Sequence, residues 1–182
     1  ILGPFIACGF YEISRRLQAG EALDWGGIAG VIFRQKDRQI PSMAAVIVVF
    51  FLFWNFLSHM IFALFLGTAT LTNITSSFGV LLSGQGLVML LVGTAAGAVF
   101  ATLLYALTVV SLPLLLDREV DFVTAMITSF SLVTANPVVM LSWGALVAGA
   151  LFLAMLPGFL GLFVVLPVLG HATWHLYRRT VL

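Results

Sequence analysis

PSMAAVIVVFFLFWNFLSHMIFALFLG, residues Pro41 to Gly67, contains no acidic or basic side chain other than His59. Gly86 to Leu116 contains none at all, and Pro137 to Leu176 contains only His171 and His175. A helix that crosses a bilayer needs about 20 predominantly apolar residues, and each of these runs exceeds that. The whole chain agrees: 62% of its 182 residues are hydrophobic and 8% are charged, with a mean hydropathy of +1.16. A water-soluble domain carries about 25% charged residues, so this chain cannot cover its surface with charge. The sequence predicts an all-α, polytopic membrane helix bundle.

A formal net charge of +1 argues against a nucleic-acid role. The single cysteine, Cys8, leaves no internal disulfide and no paired-cysteine cofactor motif; it reads as a small apolar packing residue. The chain opens at Ile1 inside an apolar run too short to span, so the sequence is expected to start part-way through a helix.

Charge is segregated along the chain. Arg15, Arg16, Arg34, Lys36, Arg38, Arg118, Arg178 and Arg179 are all of its cations. Five spans over residues 1–14, 42–66, 86–113, 138–155 and 158–177 put every one of them on one side. The positive-inside rule makes that side cytoplasmic. Residues 15–41 and 114–137 then form cytoplasmic segments of one integral membrane domain, and 67–85 form an outer loop. Within the loop, Asn73-Ile74-Thr75 matches a glycosylation sequon and is read as chance.

The two cytoplasmic segments are expected to hold short amphipathic helices. In Asp117 to Ala135, Val123, Met126, Ile127, Phe130 and Val133 recur at helical spacing, with Thr124, Thr128 and Ser131 between them. Asp117 or Asp121 is placed to cap its start, and Asn136-Pro137 to end it. Asp24 to Arg34 repeats the pattern with Trp25, Ile28, Ala29 and Ile32. Pro41 and Pro137 each open the next span.

GPFIACGFYEISRR (Gly3 to Arg16) and LPVLGHATWHLYRR (Leu166 to Arg179) align without gaps. Pro4 meets Pro167, Tyr11 meets Trp174, and Arg15-Arg16 meets Arg178-Arg179. The shared task is a membrane exit: aromatics at headgroup level (Trp174, Tyr177), then a double-arginine anchor (Arg15, Arg16, Arg178, Arg179). His171 and His175 lie four apart and share a helix face. A metal reading joins them to Glu12, with Asp117 at the same level, but no metalloprotease-type motif accompanies them. The expected role is interfacial hydrogen bonding, with no metal and no cofactor.

Small residues four apart let helices approach closely in a bilayer. Gly93, Gly97 and Ala101 form one such row, and Ala145 with Gly149 another. Asn55, Ser58 and His59 form the polar group inside the second span, and an ionisable residue there is a functional candidate. The remaining spans offer hydroxyls (Thr94, Thr102, Tyr105, Thr108) and no carboxylate, which disfavours a proton-coupled pump.

Ser111 to Trp143 (SLPLLLDREVDFVTAMITSFSLVTANPVVMLSW), Gly170 to Arg179 (GHATWHLYRR) and Gly3 to Glu21 together resemble domain-of-unknown-function family 2189, predicted bacterial integral membrane proteins. The resemblance implies a signature made of Pro113, Asp117, Arg118, Asp121, Asn136, Pro137, Gly170, His171, Trp174 and His175. It also implies a multi-pass protein of the bacterial inner membrane without an established activity, and a further N-terminal segment. The partner class that it suggests is the respiratory oxidases. The catalytic haem-copper subunit itself is excluded, because such centres need more histidines than the three present.

Three functional readings follow. The first is a non-enzymatic accessory subunit or assembly factor of a larger membrane complex, in contact with lipid and other membrane subunits. The second is a small transporter or channel using the Asn55/His59 face. The third is haem or metal binding through His171 and His175.

Overall fold

The computed structural model describes residues 3–67 and 78–181. The sequon at Asn73 and most of the expected outer loop lie outside them. Among the described residues every regular element is helical. In chain order they are α1 (Gly3–Ala19), α2 (Trp25–Arg34) with a 3-10 turn (Gln35–Asp37), α3 (Ile40–Leu66), α4 (Phe78–Leu81), α5 (Gly84–Thr108), α6 (Ser111–Asp117), α7 (Phe122–Ala135), α8 (Pro137–Met155) and α9 (Leu162–Val181). Contacts group them into two compact units, residues 1–46 with 105–182, and residues 47–104.

Among the described residues, three stretches are long and apolar enough to cross a membrane: Ile40–Leu66, Gly84–Asp117 and Pro137–Met155. The helices at the two ends of the chain differ from the expected bounds. α1 continues through Arg15 and Arg16 to Ala19, and α9 begins at Leu162 and carries Arg178 and Arg179 to Val181. Charge marks where a chain leaves an apolar layer; the backbone hydrogen bonds of a helix continue past that point. α1 stops instead at Gly20 (φ +68°), where the Glu21 amide donates to the Arg16 carbonyl at 2.9 Å, a left-handed helix cap. Between α8 and α9 the chain turns through Gly158 (φ +60°) and Phe159 (φ +67°). Gly161 then passes the Ala154 backbone so closely that a Cβ on it would lie 2.7 Å away.

The larger unit has one core. Cys8, Tyr11, Ile40, Met43, Val110, Leu114, Leu115, Met140, Trp174 and Tyr177 are buried together in it. α6 belongs to this core: Ser111, Pro113, Leu114, Leu115 and Leu116 are all buried. The start of the 114–137 segment is therefore packed into the bundle. Three consecutive leucines are better satisfied by packing than by a solvated loop.

Of the apolar stripe expected on α7, Val133 is buried and Met126 packs against the core. The helix's inward face is Ala125, Ser129 and Val133, while Val123, Ile127 and Phe130 are exposed. Burial follows the small residues, which let α7 approach α6 closely, and the bulkier apolar side chains point away. α2 turns Ile28 inward and leaves Trp25 exposed. The caps match the sequence: Asp24 accepts from the amides of Gly26 and Gly27, Asp121 accepts from the Thr124 amide, and α8 begins at Pro137.

The break between α5 and α6 has a local cause. Pro113 has no amide proton and its ring crowds the carbonyl of residue 109, so a straight helix cannot run through it. Three residues earlier, the ladder pair of the Ala106 carbonyl and the Val110 amide is bridged by a side chain. The Ser129 hydroxyl donates to the Ala106 carbonyl at 2.7 Å and accepts from the Val110 amide at 3.1 Å. Ser129 is fully buried, so one hydroxyl satisfies both backbone groups that the bend would otherwise leave unbonded.

Candidate functional site

The polar chemistry of the larger unit is concentrated where α1 meets α9. The two helices run parallel, as successive contacts show. Phe10 packs on Gly170, where a Cβ would lie 2.7 Å from that of Phe10; Ser14 bonds His171; Gln18 bonds His175 at 2.8 Å. Tyr11 stacks on Trp174, the residue it aligns with in the sequence repeat. Ser14 and Gln18 are four residues apart, as are His171 and His175, so two pairs at one helical spacing meet in register.

Hydrogen-bond bookkeeping fixes the ring protons. The Ser14 hydroxyl donates to the Phe10 carbonyl at 2.9 Å, so toward His171 it accepts, and Nδ1 of His171 carries the proton. The Gln18 side-chain oxygen accepts from the Trp174 indole at 2.9 Å. Its amide nitrogen therefore donates to Nδ1 of His175. Both Nδ1 atoms are committed to pairing the helices.

Glu12 and Asp117 are bound elsewhere. Glu12, 3% exposed, takes Arg15 at 2.8 and 3.0 Å and Arg16 at 2.7 Å. Asp117 accepts from the Tyr177 hydroxyl at 2.7 Å and lies 3.8 Å from Arg178. The three-residue ligand set of His171, His175 and Glu12 is thus not assembled. Among the described residues no group of three His, Cys, Asp or Glu side chains is placed to hold a metal ion. Arg38 reaches Glu119 at 3.6 Å.

In the smaller unit, Gly97 meets the Trp54 indole: a Cβ there would lie 3.0 Å from the ring. Phe50, Phe53 and Trp54 all pack on Phe100. Gly93 faces open space, and Ala101 is exposed. The Ser58 hydroxyl and His59 Nδ1 both donate to the Asn55 carbonyl, at 2.8 and 2.7 Å. Ser58 also lines a cleft of about 320 Å³ with Thr94 and Trp54. Asn55 and His59 are exposed side chains and do not line it.

On α8 the close approach is made by Gly144, where a Cβ would stand 3.2 Å from the Tyr105 ring, and the Tyr105 hydroxyl donates to the Met140 carbonyl at 2.7 Å. Ala145 and Gly149 are exposed, and nothing lies within 4 Å of a Cβ on Gly149.

Among proteins with a recognised family, the model described as "predicted integral membrane protein", domain of unknown function 2189, matches residues 1–117. The chain belongs to that family. Pro113 and Asp117 of the expected signature fall inside the matched region. Arg118, Asp121, Asn136, Pro137, Gly170, His171, Trp174 and His175 lie beyond it. No curated protein and no solved structure matches the chain. Membership fixes the chain as an integral membrane protein, in keeping with its three apolar spans.

Sequence reasoning missed Ser14, Gln18, Ser129 and Gly144. The first two carried a usable signal: Ser14 and Gln18 have the same i, i+4 spacing as the histidine pair, within a segment that already aligned with it. Ser129 carried none, because a serine on a short apolar helix looks the same whether or not it bridges a neighbour's backbone.

Proposed function

We propose that the chain is a non-enzymatic accessory subunit or assembly factor of a larger complex in the bacterial inner membrane, with its arginine-rich end in the cytoplasm. The carrying observation is the unused packing row on α8. Gly144 serves the internal contact with Tyr105, while Ala145 and Gly149, four residues apart, face outward with open space over Gly149. Between membrane helices, small residues at this spacing permit the close backbone contact that drives association where the hydrophobic effect is absent. A respiratory oxidase is the partner class that the family resemblance suggests.

The experiment is purification of the tagged protein in a mild detergent followed by mass spectrometry, beside the Ala145→Leu/Gly149→Leu variant. A stoichiometric membrane partner is expected with the wild type and is expected to be lost in the variant without loss of folded protein. Recovery of the wild type alone counts decisively against the reading.

A further inference from the structure

The charged end of the larger unit also holds a cleft that the α1–α9 pairing leaves unused. Its volume is about 420 Å³, and its walls come from α1, α2, the 3-10 turn and the chain around the end of α6. Binding sites for small molecules fall between about 300 and 1,000 Å³.

Two observations distinguish it from a solvated charge cluster. The first is charge balance. Arg15 and Arg16 share the buried Glu12 carboxylate, and Arg15 also holds Glu21 at 3.1 Å. The cations on the opposite wall are not matched in this way. Arg38 reaches only Glu119, at 3.6 Å, and that side chain is 95% exposed. Arg34 lines the cleft and makes no ion pair with a described residue. The second is Gln35, which sits between them in sequence. It lines the same cleft, is 3% exposed, and its side-chain oxygen is shielded from solvent without a hydrogen-bond partner among the described residues. A buried amide oxygen left without a donor is unfavourable and calls for one.

We propose that this cleft binds a phosphate ester that also carries a free hydroxyl: Arg34 and Arg38 hold the phosphate, and the hydroxyl donates to Gln35. Guanidinium groups recognise phosphate as a planar fork of donors. Exposed pairs such as Arg38–Glu119 are weak, so phosphate displaces Glu119 at small cost. The cleft lies where α1, α3 and α6 pass from apolar to charged residues, with Ile40 and Leu116 buried nearby, which is the level of lipid headgroups. The glycerol phosphate headgroup of an anionic phospholipid and soluble glycerol phosphate share the required chemistry. The proposal does not depend on the accessory-subunit reading.

The test is native mass spectrometry of the whole protein equilibrated with equal amounts of phosphatidylglycerol, phosphatidylcholine and phosphatidylmethanol, the last being anionic without a free hydroxyl. Phosphatidylglycerol is expected to be retained about tenfold over phosphatidylcholine, a difference that small binding terms supply. The Arg34→Gln/Arg38→Gln variant is expected to lose that preference. Gln35→Leu, which keeps the shape, is expected to level phosphatidylglycerol with phosphatidylmethanol while leaving both above phosphatidylcholine.

Calorimetry with soluble glycerol phosphate separates the sources. Saturable binding that is lost in the arginine variant, without discrimination among the lipids, assigns the cleft to the soluble ester. Headgroup-blind retention together with no binding of glycerol phosphate overturns the proposal. So does a phosphatidylglycerol preference that survives removal of both arginines. If the arginine variant does not fold, the Gln35→Leu comparison decides alone: unchanged discrimination between phosphatidylglycerol and phosphatidylmethanol rejects the site.

Discussion

Tyr11 lies flat against Trp174, with ring centroids 6.2 Å apart and planes inclined by 27°. The two residues occupy equivalent positions in segments that align in sequence, and the segments lie side by side, pointing the same way. A shared exit signal, an aromatic followed by two arginines, has thus become an interface between the first and last helices of the chain.

That interface is expected to dominate the stability of the larger unit. Trp174 is fully buried, touches Tyr177 at a centroid distance of 5.5 Å and bonds Gln18. Trp174→Ala should cost about 3–5 kcal/mol, the range for a large aromatic removed from a core. In a double-mutant cycle with Tyr11→Leu the two sites should couple by about 0.5–1.5 kcal/mol. Unfolding free energies measured in bicelles check both numbers; additive effects would show that the stacking contributes nothing beyond burial.

Ser129 gives a sharper prediction because one atom serves two backbone groups. Ser129→Ala leaves the Ala106 carbonyl and the Val110 amide without the hydroxyl that bridges them across the bend. Each buried unsatisfied group costs about 1–3 kcal/mol, so a loss of at least 1 kcal/mol is expected. Amide exchange should accelerate at residues 106–111 and stay unchanged in α2. A variant as stable as the parent would mean that the helix straightens there and re-forms its own bond.

Much of this architecture was legible in the sequence, for reasons particular residues make plain. An apolar run as long as Pro41–Gly67 is the length of a membrane-spanning helix, so fold class followed from composition and run length. Asp121 and Pro137 act through their own neighbours in the chain, and these helix ends were readable for that reason. The inward face of α7 was not, since two of its three buried residues, Ala125 and Ser129, are small ones that a pattern of large apolar side chains does not pick out. The partners of His171 and Glu12 were left open by the sequence. Matched depth only made a shared site with Glu12 conceivable, and Arg15 and Arg16, one turn away on the same helix, occupy that carboxylate.

The two glycines of the α5 row should behave differently on substitution. At Gly97 a Cβ would stand 3.0 Å from the Trp54 ring, whereas at Gly93 nothing lies within 4 Å. Gly97→Ala should be destabilising by about 1–3 kcal/mol through overpacking. Gly93→Ala should be neutral or stabilising by up to about 1 kcal/mol, since alanine is the better helix former. Equal effects at both positions, read from thermal unfolding in detergent, would place the packing face elsewhere.

His171 and His175 are expected to behave as interhelical donors and acceptors. The His171→Ala/His175→Ala variant should lose about 1–2 kcal/mol, within the range for hydrogen bonds between membrane helices. Its metal content and visible absorption should equal those of the parent. A metal or a haem band present in the parent and absent from the variant would restore the ligand reading.

The start of α7 should respond to acid through Asp121. Its carboxylate accepts from the Thr124 hydroxyl and from the Thr124 amide at 2.9 Å, and these bonds hold its pKa below the usual aspartate value. A depressed folded-state pKa means that the cap stabilises the helix above the ordinary aspartate value, about 4. That contribution disappears as the pH falls through the lower folded-state pKa. Carboxyl NMR should therefore show Asp121 titrating below the ordinary range. Thr124→Val removes the hydroxyl donor, the largest cause, and keeps the amide, so the midpoint should move only part of the way back. At neutral pH the same variant should exchange faster in the first turn of α7 and no faster around Ser129, whose bonds are made to another helix. A midpoint that stays put in Thr124→Val would remove the hydroxyl from the cap and leave the amide bond as its only anchor.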